Sequence, residues 1–135
     1  MTTIEQGLYT YLTGGSPNPV AALVGTRVYP MGHLPQNPTM PALSYSLIGA
    51  ARVVTTDGAD TLFNPSFQVD CWHTSGLGAV QLFDLVRQRL NGFSGDLGGV
   101  YAQGIFLVRA RDLYDNDTGL YRRSADYSIW NREPV

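Results

Sequence analysis

The sequence predicts an α+β fold: a mostly antiparallel, four-stranded sheet built from two hairpins, with helices packed on one face. Three observations lead there. Two pairs of runs alternate with period two around polar, Gly-containing turns, one over Ala42 to Trp72 and one over Val100 to Arg132. Between them Leu77, Val80, Phe83, Val86 and Leu90 recur at helical spacing. A shorter helical pattern stands in front. At 135 residues the chain makes one domain, spanning 1–135, with room for a real core.

In order along the chain, Thr2 or Thr3 caps a first helix that puts Ile4, Leu8, Tyr11 and Leu12 on one face. Gly14-Gly15-Ser16-Pro17 ends it. A second, short helix is expected over Pro19 to Val24, with Pro at its start and Gly25 just past its end. Arg27-Val28-Tyr29 reads as a brief strand. Pro30 to Pro41 carries four prolines around Gly32, His33 and Asn37, a density that disfavours helix and central strand alike, so an irregular loop is expected.

Ala42 to Thr55 reads as a strand, with Leu43, Tyr45 and Leu47 alternating against Ser44, Ser46 and Ile48. A polar turn, Thr56 to Asp60, leads to a return strand over Leu62 to Trp72. There Phe67, Val69 and Cys71 share one face, while Gln68, Asp70 and Trp72 share the other. Pro65 places the start of this strand at an edge or a bulge. Thr74 or Ser75 caps the principal helix, which runs to about Asn91; Ala79 and Leu82 thicken its apolar stripe. Gly95, Gly98 and Gly99 suggest a flexible connection to the last third of the chain.

That last third reads as one long hairpin turning at Asp115-Asn116-Asp117-Thr118-Gly119. A four-residue loop pairs Asp115 with Leu120. Phe106 then faces Ile129, Val108 faces Tyr127 and Ala110 faces Ala125 on one side, with Asp112 opposite Arg123 nearer the turn. Arg109 faces Asp126 on the other side. A shift of two residues loses both charge pairs, and each cross-strand pair is worth roughly 0.2–1 kcal/mol, so this register is favoured.

Composition narrows the function classes. Charged residues make up 15% of the chain, against a usual figure of about 25%. All nine basic residues are Arg. Interfaces are poor in Lys and Glu and rich in Tyr and Arg, so this balance suits a subunit of an assembly; compositional drift would produce the same balance. A net charge of −2 offers no basic footprint for nucleic acid or an anionic membrane. One cysteine, Cys71, allows no intrachain disulfide and suits a reducing compartment. No basic n-region precedes an apolar run, and no apolar run approaches the ~20 residues that span a bilayer, so a soluble protein made in the cytoplasm is expected.

Catalytic chemistry is hard to place. His33 lies in the Pro-rich loop and His73 at a strand-helix junction, the position of a surface or capping residue. Asp70-Cys71-His73 is the best metal cluster, but Asp70 and Cys71 point to opposite faces of a strand and cannot share an ion. Cys71 alternates with Phe67 and Val69, as a small core residue does. The acidic turn at 115–119 lacks the spaced ligands and closing Glu of a calcium loop. The glycines at 92–99 match no phosphate-binding or dinucleotide fingerprint, and no Ser sits in a nucleophile-elbow context. Arg122-Arg123 with Tyr114 and Tyr121 could touch nucleic acid, but Arg123 already has Asp112 as partner. No enzymatic activity, cofactor or metal is expected.

Several stretches taken together resemble a known family. They are Phe67-Gln68-Val69-Asp70-Cys71-Trp72, the helix beginning near Gly78-Ala79, Arg111-Asp112-Leu113-Tyr114-Asp115, Thr118-Gly119-Leu120-Tyr121-Arg122-Arg123 and Asp126-Tyr127-Ser128-Ile129-Trp130. The opening helix, Val20 to Gly25 and Arg27-Val28-Tyr29-Pro30 extend the likeness over nearly the whole chain. The family is that of the tail-completion, or tail terminator, proteins of long-tailed bacteriophages and gene transfer agents. The resemblance implies a virion structural protein that forms a homo-hexameric ring at the head-proximal end of the tail. It implies that the ring ends tube polymerisation and joins the tail tube protein to the head-tail connector, with DNA passing through the lumen without being read. It carries over no catalytic residue.

From the residues, the expected contact surfaces are the loops 31–40 and 55–61 and the turn 115–119. Expected inter-subunit or partner contacts are His33, Asp57, Asp60, Arg111, Asp115, Asp117 and Arg122. Trp72 and Trp130, on polar strand faces, either meet a partner or lie under a second layer. The alternative from another class is a small cytoplasmic module that binds a ligand or peptide through the Pro-rich loop; an enzyme using Cys71 or His73 would require a reactive thiol or a metal.

Overall fold

The computed structural model describes residues 3–54 and 60–134. The element order is α1 (Ile4–Thr13), α2 (Pro19–Val24), β1 (Val28–Pro30), β2 (Ala42–Val54), β3 (Asp60–His73), α3 (Gly76–Leu90), β4 (Gly95–Leu97), β5 (Val100–Asp115) and β6 (Leu120–Pro134). The class is α+β, as expected, but the sheet has six strands, ordered β1-β2-β3-β6-β5-β4. The two expected hairpins are its centre, joined where β3 pairs antiparallel with β6. The additions are short edge strands. β1 pairs parallel with β2 at Leu43 to Tyr45, and β4 forms a tight hairpin with β5 where the glycines suggested a flexible connection.

Helix ends follow local chemistry. Thr3 caps α1 in a reciprocal capping box with Gln6. Asn18 caps α2 through the Ala21 amide, and Ser75 caps α3 through that of Gly78. The helices gather over the face of the sheet that carries Phe67, Val69 and Cys71, where Leu8, Leu12, Val20, Val24, Leu82, Val86 and Leu90 close the core. Full burial of such side chains is worth roughly 1.5–3 kcal/mol each.

The expected facing fails where the ladders shift register, between Leu47 and Gly49, between Ala102 and Gly104 and between Leu107 and Arg109 among the described residues, and in the first turn of α3. Val108 is an extra residue between the pairs Leu107–Tyr127 and Arg109–Asp126. This bulge reverses the facing of the strand beyond it. Ile105, not Phe106, pairs with Ile129 and is fully buried, while Phe106 faces Ser128 and, like Val108, is exposed. A second bulge, at Ile48, separates Leu47 from Gly49, and Leu47 is exposed although it continues the Leu43–Tyr45 face. In α3 the buried stripe is Ala79, Leu82, Phe83, Val86 and Leu90, so Leu77, in the first turn, projects to solvent and Val80 is half-buried.

Pro65 lies in a central strand rather than at an edge. It pairs with Ala50 on the β2 side, while the β6 ladder runs from Phe63–Asn131 to Ser66–Ser128 without a pair at Asn64 or Pro65. The missing amide of proline is thus placed at a gap in one ladder, where Ser128 donates to the Asn64 carboxamide at 2.7 Å.

Two contacts fix α1. A Cβ on Gly7 would collide with the Leu97 carbonyl oxygen, and one on Gly98 (φ +56°) would collide with the Gly7 carbonyl oxygen, so only glycines allow α1 to approach the β4 turn this closely. Arg89 of α3 donates to the Tyr11 carbonyl at 2.8 and 3.0 Å and to that of Gly14 at 3.0 Å, and its guanidinium lies 4.3 Å from the Tyr11 ring centre. The Tyr11 hydroxyl donates back to the Arg89 carbonyl at 2.9 Å. Arg89 thus takes the Tyr11 and Gly14 carbonyls at the end of α1, while the Asn18 carboxamide donates to those of Leu12 and Gly14.

Arg89→Ala is expected to destabilise the fold by about 1.5–3 kcal/mol, because charge-assisted hydrogen bonds to partly buried carbonyls are lost. Arg87→Ala, which removes only the surface ion pair to Asp84 one turn away, is expected to leave stability close to wild type; urea unfolding of both variants checks the contrast. A second expectation concerns alkali. Burial, with Glu5 and Tyr9 nearby, pushes the Tyr45 hydroxyl up to about 12, and it donates to the Glu5 carbonyl at 3.0 Å. An unfolded Tyr ionises near pH 10, so this group's contribution is complete below that pH and is lost as pH rises from 10 through 12. Tyr45→Phe should flatten the fall of thermal midpoint over that window, and an unchanged slope would remove Tyr45 from the account.

Candidate assembly surface

The outer face of the sheet, away from the helices, carries a network of charges in register. The row Ser44–Asp70–Ser124–Arg111 lies beside the row Ser46–Gln68–Asp126–Arg109. Asp70 and Asp126 are buried there, at 4% and 7% exposure. Asp126 receives Arg109 at 3.3 Å and Arg111 at 3.6 Å. Asp70 accepts from Gln68 at 3.1 Å and from Ser44 at 3.4 Å, and faces Arg122 at 3.6 Å. Arg111 also donates to the Gln68 carboxamide at 2.9 Å. Two desolvated carboxylates are thus held by three arginines, the condition under which buried charge is tolerable. Trp72 donates to Ser44 at 2.9 Å, and Arg122 lies 4.9 Å from its ring centre. Among the described residues it is this guanidinium, not a helix, that covers Trp72.

The other face of the distal hairpin is tied to α3. Arg123 grips Asp112 through two hydrogen bonds, of 2.7 and 2.9 Å, and lies over the Phe83 ring. This pairing holds the Asp112 carboxyl below the usual carboxylate range. The Tyr114 and Tyr121 rings meet at a 48° tilt with centres 4.7 Å apart, and Tyr121 packs beside Gly76 at the start of α3. The register expected from the turn is present from Asp115–Leu120 to Arg109–Asp126. Within this braced hairpin every residue from Val108 to Thr118 is exposed, including Val108, Leu113 and Tyr114.

The expected contact residues fall in separate places. Arg111 and Arg122 join the outer network. Asp115 shapes the turn, accepting from the Asp117 amide at 3.0 Å and, through its carbonyl, from Gly119 at 2.8 Å; Asp117 is exposed at the tip. His33 is exposed in the Pro-rich loop, beside β2 and so across the sheet from β5 and that turn. Asp57 lies outside the described residues, as does most of the loop 55–61, and Asp60 is the first residue of β3. Sequence reasoning missed Asp70, Gln68 and Ser44 as members of the network, although their shared parity with Trp72 was a usable signal. It also missed the exposed apolar group Leu47, Ile48, Phe106 and Val108, since a bulge carries no residue signature here.

His73 and Cys71 have structural roles. The His73 ring accepts from the Ser75 amide at 3.1 Å and occupies the space a side chain on Gly78 would need. Cys71 is fully buried, and burial together with Asp70 pushes its thiol up, away from nucleophilic character. Among the described residues no three His, Cys, Asp or Glu side chains form a metal-binding group, and no helix is long and apolar enough to cross a membrane.

Residues 15–132 match the protein family described as tail completion protein gp17. A chain in a solved structure described as the virion of a native gene transfer agent particle is similar in fold, with a TM-score of 0.66 and 21% identity over 93% of this chain and 92% of that one. No match was found among curated proteins.

The Asp112–Arg123 pair provides a test of the braced hairpin. Asp112→Arg replaces a paired charge by a like charge and is expected to cost about 1–2 kcal/mol, with Asp112→Ala losing about half of that. Urea midpoints measure it, and wild-type stability in the Arg variant would show that the pair does not brace the hairpin.

Proposed function

The chain belongs to the tail completion protein gp17 family, a family of structural proteins of phage tails rather than enzymes, and on that premise we propose that it is the subunit of a ring at the head-proximal end of the tail. The family places it in the tail or head-tail region of a virion or gene-transfer-agent particle. The observation that carries the reading is the match over residues 15–132, nearly the whole described fold. In the proposed role about six copies close a ring through heterologous contacts, each subunit presenting two different patches. The ring stops addition of tail tube protein and receives the head-tail connector, and DNA passes through its lumen.

Three features support this reading. A chain whose basic residues are all Arg, many of them held in ion pairs, offers little attraction to passing phosphate. The distal hairpin projects apolar and polar groups from a braced base, as a contact arm requires. The proposed contact residues His33, Asp57 and Asp60 lie apart along the chain from Arg111, Asp115, Asp117 and Arg122, which suits two patches of different composition.

Mass measurement across a concentration series, with negative-stain imaging of the largest species and a parallel series containing purified tail tubes, tests the proposal. Rings of about six copies, free or on tube ends, are expected. A chain that stays monomeric and leaves tube length unchanged would overturn it.

A further inference from the structure

We infer that the sheet itself continues from copy to copy, the free edge of β2 in one subunit pairing antiparallel with the free edge of β5 in the next. The inference rests on the ring reading and specifies its joint. Its first support is direction. β2, β3, β6 and β5 alternate in direction, so the two outer strands of this group of four run opposite ways. A copy related by rotation therefore brings β5 beside β2 in antiparallel fashion, the stronger pairing. An odd number of strands would have set parallel edges together.

The second support is which parts of each edge are already occupied. On β2, β1 covers Leu43 to Tyr45, and the Gly32 amide takes the Tyr45 carbonyl at 2.9 Å. On β5, β4 covers Val100 to Ala102, and the segment after α3 takes the next groups. Ile105 donates to the Phe93 carbonyl at 3.1 Å and accepts from Gly92 at 2.7 Å, while Leu107 donates to the Asn91 carboxamide at 2.9 Å. Among the described residues this leaves 46–54 on β2 and 108–115 on β5 without a strand neighbour.

These free stretches lie diagonally across the sheet. Arg109 is level with Ser46, through Asp126 and Gln68, and Leu113 is level with Ala42. Copies can therefore join only with a stagger. A stagger of about six residues, roughly 20 Å, across four strands spanning roughly 19 Å gives a tilt of about 45°, close to that of strands in closed barrels.

The third support is the character of the edges. Soluble proteins blunt exposed edges with Lys, Pro, inward charge or bulges; here each bulge sits at the start of its free stretch, and 49–54 and 109–115 beyond them pair regularly with their inner neighbours. Neither stretch contains Lys or Pro, and the Arg109 and Arg111 side chains are drawn back to Asp126. Instead Leu47, Ile48, Val108, Leu113 and Tyr114 are 39–57% exposed. Edges of this kind are templates for another strand.

Cysteine pairs and hydrogen exchange test the inference in assembled rings. Copies carrying Leu47→Cys or Ala50→Cys are mixed with copies carrying Ala110→Cys or Leu113→Cys, assembled with tail tubes and oxidised. Cross-links between a β2 variant and a β5 variant are expected, and none between like variants. With the unmodified chain, amides in both 46–54 and 108–115 should exchange at least tenfold more slowly in rings than in dissociated subunits. Rings that form without such links, and with both stretches still exchanging rapidly, would overturn the edge pairing and leave the ring reading intact. Protection of one stretch alone would also overturn it, since a different chain would then occupy that edge. Absence of rings under all conditions would remove both readings.

Discussion

The junction of β3 with β6 turns two hairpins into one sheet, and its register is set by what each face can bury. On the helix side Phe67 meets Tyr127, Val69 meets Ala125, and all four are essentially inaccessible. On the other side Asp70 meets Ser124 and Gln68 meets Asp126. A slip of one residue would exchange these faces and drive two carboxylates into the apolar core. Isolated buried charge costs several kcal/mol, far more than any single pair contributes. The arginines of β5 and β6 can neutralise Asp70 and Asp126 only on the outer face, so packing and electrostatics select the same register.

The helices depend on that sheet for position. α1 is short and α2 shorter, and neither length sustains a helix in water by itself. They are held by apolar contact with the inner face and by two local devices, the Gly7–Gly98 approach and the carbonyls gathered by Arg89. Both link residues more than seventy positions apart. The first hundred residues thus acquire a single arrangement only once the sheet provides its two edges.

The bulges shape the outline. Ile48 and Val108 flank one row of the sheet, Leu47–Phe67–Tyr127–Leu107, on its opposite edges. A bulge bends its strand and increases local twist. Here the pair leaves apolar side chains at the rim rather than under the helices. The bulges thus put apolar surface at the rim without opening the core, as the contacts of the proposed ring would require.

Much was legible in the sequence. The capping residues Thr3 and Ser75, the Pro19–Val24 helix, the period-two face of Phe67, Val69 and Cys71, and the turn pairing Asp115 with Leu120 all follow from interactions between residues a few positions apart, which sequence spacing records directly. The likeness that pointed to a phage tail family was legible for the same reason, being carried by short ordered stretches. Tertiary structure alone decided the rest. The inward choice of Ile105 over Phe106, the solvent position of Leu77 and Leu47, and the central place of Pro65 depend on how a twisted sheet meets the helices at a distance. The recruitment of β1 and β4 as edge strands depends on the same packing, because a three-residue strand has no stability until a neighbouring edge offers it hydrogen bonds.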